Sequence, residues 1–284
     1  MRGVIFNKST QLLAYADDID IMGRNPRVVQ EAFIHIEQAA RNLGLQINEG
    51  KTKYMVASSA TTPATSTESI SQARFSMGNY NFEVVDSFVY LGSTISANNN
   101  ISTEVRARLL KANRAYFGLS RAFRSRNLSI QTKLLLYRTL ILPVLTYSSE
   151  TWVLSKQNYE LLAAFERRIL RRIFGPVCEG GRFRSLYNQE VYERYREVNV
   201  VKEIRLNRLR WAGHLVRKDE DDPAWKVFRG RLYATRRRGR PGLRWTDGVD
   251  QDASSIGVRN WRTVAHDRLQ FRRLLSQAKT SKWL

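Results

Sequence analysis

The chain contains one cysteine, Cys178, and three histidines, His35, His214 and His266, in 284 residues. A lone thiol forbids an internal disulfide and fits a reducing intracellular compartment, nucleus or cytoplasm, and these scattered positions offer no zinc-ligand spacing. No run of about twenty consecutive apolar residues occurs, and no charged-then-apolar leader opens the sequence, so neither a transmembrane span nor a secretory signal is expected. Acids are scarce: 26 Asp and Glu stand against 47 Lys and Arg, a net charge of +21. Such an excess points to a polyanion, because neutralising phosphates releases counterions and gives salt-sensitive, sequence-tolerant affinity. Without a membrane-spanning segment, nucleic acid is the better partner than a membrane surface. A hydrophobic content of 43% is ordinary for a globular protein, and the length suffices for a sizeable core divided into two or three subdomains. No internal repeat is visible.

What is present begins with Tyr15-Ala16-Asp17-Asp18, set between the apolar runs Leu12-Leu13-Ala14 and Ile19, Ile21-Met22. This reads as strand, tight acidic turn, strand. A hairpin pushes both carboxylates to its tip, where they repel unless a cation, water or a donor offsets the charge. Magnesium suits hard oxygen ligands, and two such ions about 4 Å apart clamp the attacking and leaving oxygens in nucleotidyl transfer. Asp-Asp is also ordinary turn chemistry. Pro26 to Leu43 predicts an amphipathic helix stopped by Gly44, with Val29, Phe33, Ile36, Ala40 and Leu43 on one face. Short strands are expected at both ends of Leu45 to Val56, around a polar loop holding Asn48, Lys51 and Lys53. A lysine there serves a leaving pyrophosphate or simply a solvated turn. The Ser/Thr-rich tract Ala57 to Ser71 reads as a surface insertion. Phe75 to Met77 and Tyr80 to Val85 flank a Gly78-Asn79 hairpin turn. Phe88 to Ile95 reads as one strand with Gly92 inside it, for a close backbone approach or a bulge.

These parts, in this order, resemble the palm of non-long-terminal-repeat retrotransposon reverse transcriptases: Leu13-Ala14-Tyr15-Ala16-Asp17-Asp18, then Leu43-Gly44-Leu45 with Asn48 and Lys51-Thr52-Lys53, then Phe88-Val89-Tyr90-Leu91-Gly92. The resemblance implies that Asp17 and Asp18 are catalytic aspartates and Mg2+ ligands, Asp17 the more direct. It places Tyr15 beside the primer end, Lys51 in the loop that assists pyrophosphate departure, and Tyr90-Leu91-Gly92 in the segment gripping the primer. It continues through Tyr137-Arg138, Leu142 to Tyr147 and Glu150-Thr151-Trp152, and more weakly through Arg210-Trp211-Ala212-Gly213-His214 and Arg240-Pro241-Gly242 with Trp245. The family's palm uses a further metal-binding aspartate on an earlier strand, and fingers that hold template and nucleotide. Fourteen residues before Tyr15 leave no room for them. The resemblance therefore implies a carboxy-terminal fragment of an RNA-directed DNA polymerase, inactive alone and holding Mg2+ weakly or not at all; Asp86 reads as a turn acid rather than the absent ligand.

The expected fold class is α+β: a partial palm of antiparallel strands plus a helix over 1–97, a helical thumb over 98–178, and a mostly helical basic region over 179–284 with an arginine-rich arm at 229–245. In the thumb, Val105, Leu109, Ala112, Tyr116, Leu119 and Phe123 recur at helical spacing from Ile101, while Arg106, Arg108, Lys111, Arg114, Arg121 and Arg124 supply a polar face, with Ser102 or Thr103 as cap. Ile130 to Leu142 predicts a second helix ended by Pro143, and Lys156 to Phe174 a third, ended by Gly175-Pro176. Leu186 to Tyr195, Val201 to Val216 and Arg259 to Ala278 predict further helices, the last buried against the thumb. Trp152, Trp211 and Trp225 are expected as core or interface anchors. Arg236, Arg237, Arg238, Arg240 and Arg244, interleaved with Tyr233 and Trp245, suit an RNA-binding arm, since guanidinium groups contact phosphates and rings stack on unpaired bases. The same residues suit a nuclear-localisation signal. Function reads as binding of RNA or an RNA-DNA template-primer by a reverse-transcriptase fragment. The alternative is a non-enzymatic nucleic-acid-binding or scaffold protein that keeps the thumb and basic tail.

Overall fold

The computed structural model describes residues 10–57, 74–230 and 243–280. The chain is mixed α+β and divides into two compact units, residues 1–100 and 101–284.

In the first unit, strands β1 (Thr10–Tyr15) and β2 (Asp18–Gly23) pair antiparallel, Tyr15 opposite Asp18, leaving Ala16-Asp17 as the turn. Ala16 takes a left-handed φ of 54°, which the two-residue reversal requires. Helix α1 (Pro26–Asn42) follows. The Asn25 side chain accepts from the Val28 N–H at 3.0 Å, Pro26 fills the first turn, and Gly44 at φ 75° lets the chain leave. Its apolar face buries Phe33 against Met77 and Phe82, with Ile21, Val29, Tyr54 and Phe75 around them.

Of the strands expected at both ends of Leu45 to Val56, the structure forms one, β3 (Lys53–Tyr54). The segment before it is a turn in which the Lys51 and Thr52 N–H groups both donate to the Asn48 carbonyl, and Leu45 is exposed. β3 runs parallel to β5 (Tyr80–Val84), which pairs antiparallel with β4 (Arg74–Met77) through the Gly78-Asn79 turn. Phe88 to Ile95 is not one strand. It is a hairpin, β6 (Ser87–Tyr90) and β7 (Ser93–Ser96), because Leu91 and Gly92 both take positive φ, 46° and 79°, and reverse the chain between them.

The second unit opens with α2 (Ile101–Gly118) and α3 (Ser120–Arg124), two helices where the apolar spacing suggested one. Ser102 lies inside the first turn of α2, not at its cap, and its hydroxyl accepts from Asn158 Nδ2 at 3.2 Å. Arg108, expected on the polar face, is buried with Glu104 at 2.6 Å and lies 4.4 Å from the Tyr147 ring centre. Pro143 does not end the next helix. α4 (Ile130–Leu136) widens into a π-helical turn (Tyr137–Ile141), and α5 (Leu142–Thr146) carries Pro143 in its first turn. The wider turn disposes of the N–H that proline lacks and of the clash its ring would make with the preceding turn.

α6 (Lys156–Phe174) has the expected bounds, capped by Ser155 and released by Gly175 at φ 76°. A hairpin of β8 (Val177–Glu179) and β9 (Arg182–Arg184), then α7 (Asn188–Tyr195) and α8 (Val200–Val216), complete one core cluster that runs from Val105 through Trp152 and Ile169 to Ile204. The boundary expected near Cys178 thus falls inside this unit. A second cluster packs Leu206, Leu209, Ala212 and Val216 of α8 against α10 (Trp245–Ser255), α11 (Trp261–His266) and α12 (Arg268–Thr280), beyond the short α9 (Pro223–Arg229). The final helix is split at Asp267, whose extended backbone turns the chain, and Leu269 faces solvent.

Candidate functional site

Alternation along the first hairpin sorts its side chains onto two faces. Ile21 turns toward the core under α1. Tyr15, opposite Asp18, and Leu13, opposite Asp20, stand on the other face with those two acids, while Asp17 occupies the turn. Tyr15 is 67% exposed, and Asp17 and Asp18 are exposed as well. Asp20 is half-buried, and burial lifts its carboxyl above the usual range. Tyr90, at the end of β6, feels the same acids. Its phenol is pushed up by burial and then by the negative charges of Asp20 and Asp18.

The fold therefore gathers Asp18, Asp20 and Tyr90 on one surface, with Tyr15 beside them. Asp20 was missed in the sequence, although its spacing two residues after Asp18 on a strand was the signal for a shared face. Tyr90 is on the strand, whereas Leu91 and Gly92 form the hairpin turn. Lys51 sits in an exposed turn, and among the described residues no hydrogen bond or ion pair joins its ammonium to Asp17 or Asp18. Its neighbour Lys53 pairs with Glu83 and donates to the Gly50 carbonyl at 3.2 Å.

The acid tip offers the right atom type for Mg2+, carboxylate oxygen, but little else. Among the described residues no group of three or more His, Cys, Asp or Glu side chains is placed to hold a metal ion. Two exposed acids adjacent in sequence grip one side of an octahedral cation and leave its remaining positions to water. These residues do not fit a two-metal centre.

Arg236, Arg237, Arg238 and Arg240 lie outside the described residues. At the edges of that stretch, Arg229 lies 5.4 Å from the Trp225 ring centre, and Arg244 precedes α10, its N–H donating to Asp247 Oδ2 at 2.9 Å. Among the described residues no helix is long and apolar enough to cross a membrane.

Residues 2–95 match the family model for reverse transcriptase (RNA-dependent DNA polymerase). Along almost its whole length the chain is similar to an uncharacterized transposon-derived protein of Caenorhabditis elegans, 26% identical over 282 residues that cover 95% of this chain and 96% of the relative. No solved structure matches the chain. The acid-tipped hairpin, α1 and all but the last residue of the β6–β7 hairpin fall within the matched residues, so the amino-terminal part is a reverse-transcriptase segment.

Proposed function

We propose that this 284-residue chain binds nucleic acid, RNA or an RNA-DNA template-primer, as a relic of a non-long-terminal-repeat element polymerase, and does not extend a primer by itself. One observation carries the reading: a reverse-transcriptase segment whose acid tip has two exposed aspartates belongs to a chain of net charge +21. Charge of that size binds phosphates whatever the state of the active site, while nucleotidyl transfer needs metals, primer terminus and nucleotide held together. Mg2+ at Asp17 and Asp18 would be weakly held. Nucleus or cytoplasm would be the place of action.

Fluorescence anisotropy on a labelled RNA, across a salt series, tests the binding half. Replacing Arg236, Arg237, Arg238 and Arg240 together by Ala should weaken binding at least tenfold and make the log-affinity against log-salt slope shallower by about 3, one counterion step per lost phosphate contact. Asp17→Ala should leave binding unchanged. Unaltered affinity and slope in the arginine variant would contradict the reading.

A further inference from the structure

We infer that the pocket lined by Glu150, Asn207, Arg210, Trp211 and His214 binds a single unpaired guanine base. This inference rests on the nucleic-acid reading above and adds a base preference that charge alone does not supply. The pocket measures about 280 Å3 and lies entirely within the second unit, on α8 and the 3-10 turn Ser149–Thr151. None of it belongs to the acid tip.

Its walls have two kinds of surface. Trp211 and His214, one helical turn apart on α8, present rings 5.4 Å between centres and tilted by 37°. The imidazole is exposed and the indole half-buried, and among the described residues neither ring nitrogen of His214 nor the indole N–H of Trp211 has a hydrogen-bond partner. Two other tryptophans donate theirs, Trp245 to the Glu150 carbonyl at 2.7 Å and Trp261 to Asp250 at 2.7 Å. An aromatic face at the surface with a spare donor is what a stacked base requires.

The second surface is the Glu150 carboxylate. Among the described residues it has no ion pair, although the chain carries 47 basic residues. The arginine beside it does not neutralise it, because Arg210 Nη1 is already held by Glu203 at 3.0 Å and by Asn207. The backbone around Glu150 is fixed from both sides. Ser148 takes a left-handed φ of 60°, the Glu150 carbonyl accepts from Trp245, and buried Trp152, two residues further on, accepts at its carbonyl from Arg208 at 2.9 Å. Ser149 in the same turn is fully buried, and among the described residues its hydroxyl has no hydrogen-bond partner. Strain and an unsatisfied group in one short turn are features that persist where a site needs a side chain held in one place.

Base choice follows from the acceptor. Guanine is the one common base whose Watson–Crick edge carries two adjacent donors, N1–H and N2–H, which match the two oxygens of a carboxylate as a guanidinium does. Adenine and cytosine offer one amino group beside a ring nitrogen acceptor, and uracil places a carbonyl on each side of its N–H. Each would set an acceptor against the carboxylate.

The experiment uses the full chain and four 12-mers: all-uridine, all-uridine with one central guanosine, the same with inosine, and the same with adenosine. The guanosine oligomer should bind about tenfold more tightly than all-uridine at equal salt, the value of one bidentate contact. Inosine, which lacks the N2 amino group, and adenosine should fall back toward uridine. Glu150→Gln should abolish the guanosine preference while leaving all-uridine affinity within about twofold, and Trp211→Ala should remove the preference and weaken all four oligomers, since stacking serves every base. Equal binding of all four oligomers with normal salt dependence would overturn the pocket and spare the general reading; absence of binding to any of them would overturn both. A guanosine preference retained in both variants would also overturn it. The inosine comparison needs no variant, so misfolding cannot hide the answer.

Discussion

Glu166 is fully buried on α6, where it accepts from the Tyr137 hydroxyl at 3.0 Å, the Tyr192 hydroxyl at 3.3 Å and the Val200 N–H at 3.0 Å. Burial lifts its pKa from 4.5 to about 7, against the pull of those donors and of Arg167. Between those pH values the folded chain binds the proton that the unfolded chain has lost. The contribution of Glu166 to stability should therefore be fullest below about pH 4.5, fall as pH rises to about 7, and then level off, a change on the order of 3 kcal/mol. Glu166→Gln should flatten that slope in thermal melts taken from pH 5 to 8, and an unchanged slope would refute the assignment. Its consequence for sequence reading is general. Asp17 and Asp18 were legible because a turn places them at a tip whatever surrounds it. Glu166 and Asp20 were not, because tertiary burial defines their environment, and no local pattern marks a glutamate inside a basic helix as the one that turns inward.

At the scale of elements, two glycine-containing segments decide geometry that residue patterns obscured. The β6–β7 turn places Leu91 at φ 46°, a conformation that costs an ordinary L-residue roughly 1–2 kcal/mol and that asparagine tolerates far better. Leu91→Asn should raise stability by about 0.5–1 kcal/mol in urea melts, and Gly92→Ala, at φ 79°, should lower it by about 1 kcal/mol. Leucine at that position is why 88–95 read as one strand. Gly213 is the converse case. Alanine normally improves a helix interior, but a Cβ here would lie 2.4 Å from Phe271 Cε1 of α12. Gly213→Ala should destabilise by about 1–3 kcal/mol despite its better propensity, and pairing it with Phe271→Leu should recover part of the loss.

α6 was readable from its period and its terminal Gly175-Pro176, although its Ser155 cap was not. α10 was not: Asp, Gly and Ser fill it, and Val249 and Ala253 alone carry its buried apolar spacing. Its helicity comes from packing on α8. The helical passage through Pro143 was equally hidden, since the π turn that absorbs it depends on Tyr137 being drawn inward to Glu166.

Within the second unit the two core clusters are tied by one buried cation. Arg208 of α8 binds Asp252 of α10 at 2.6 and 2.8 Å, the Trp152 carbonyl, and the Tyr159 hydroxyl at 3.1 Å. Removing one partner leaves an uncompensated buried charge, so Asp252→Ala should cost about 3–5 kcal/mol and should lower a single shared transition of residues 101–284 rather than melt the carboxy-terminal helices alone. Two separate transitions would mean that the two clusters unfold independently. Charge, by contrast, was legible from composition alone, because counterion release depends on how many basic groups face phosphate more than on where helices begin. What composition could not supply is whether the acid tip is completed. The most direct measurement places the purified chain on an RNA template with a labelled DNA primer, Mg2+ and deoxynucleotides, scoring retention and extension in the same tube. The template-primer should be bound while the primer stays at its starting length; extension that Asp17→Ala abolishes would contradict a chain that binds without copying.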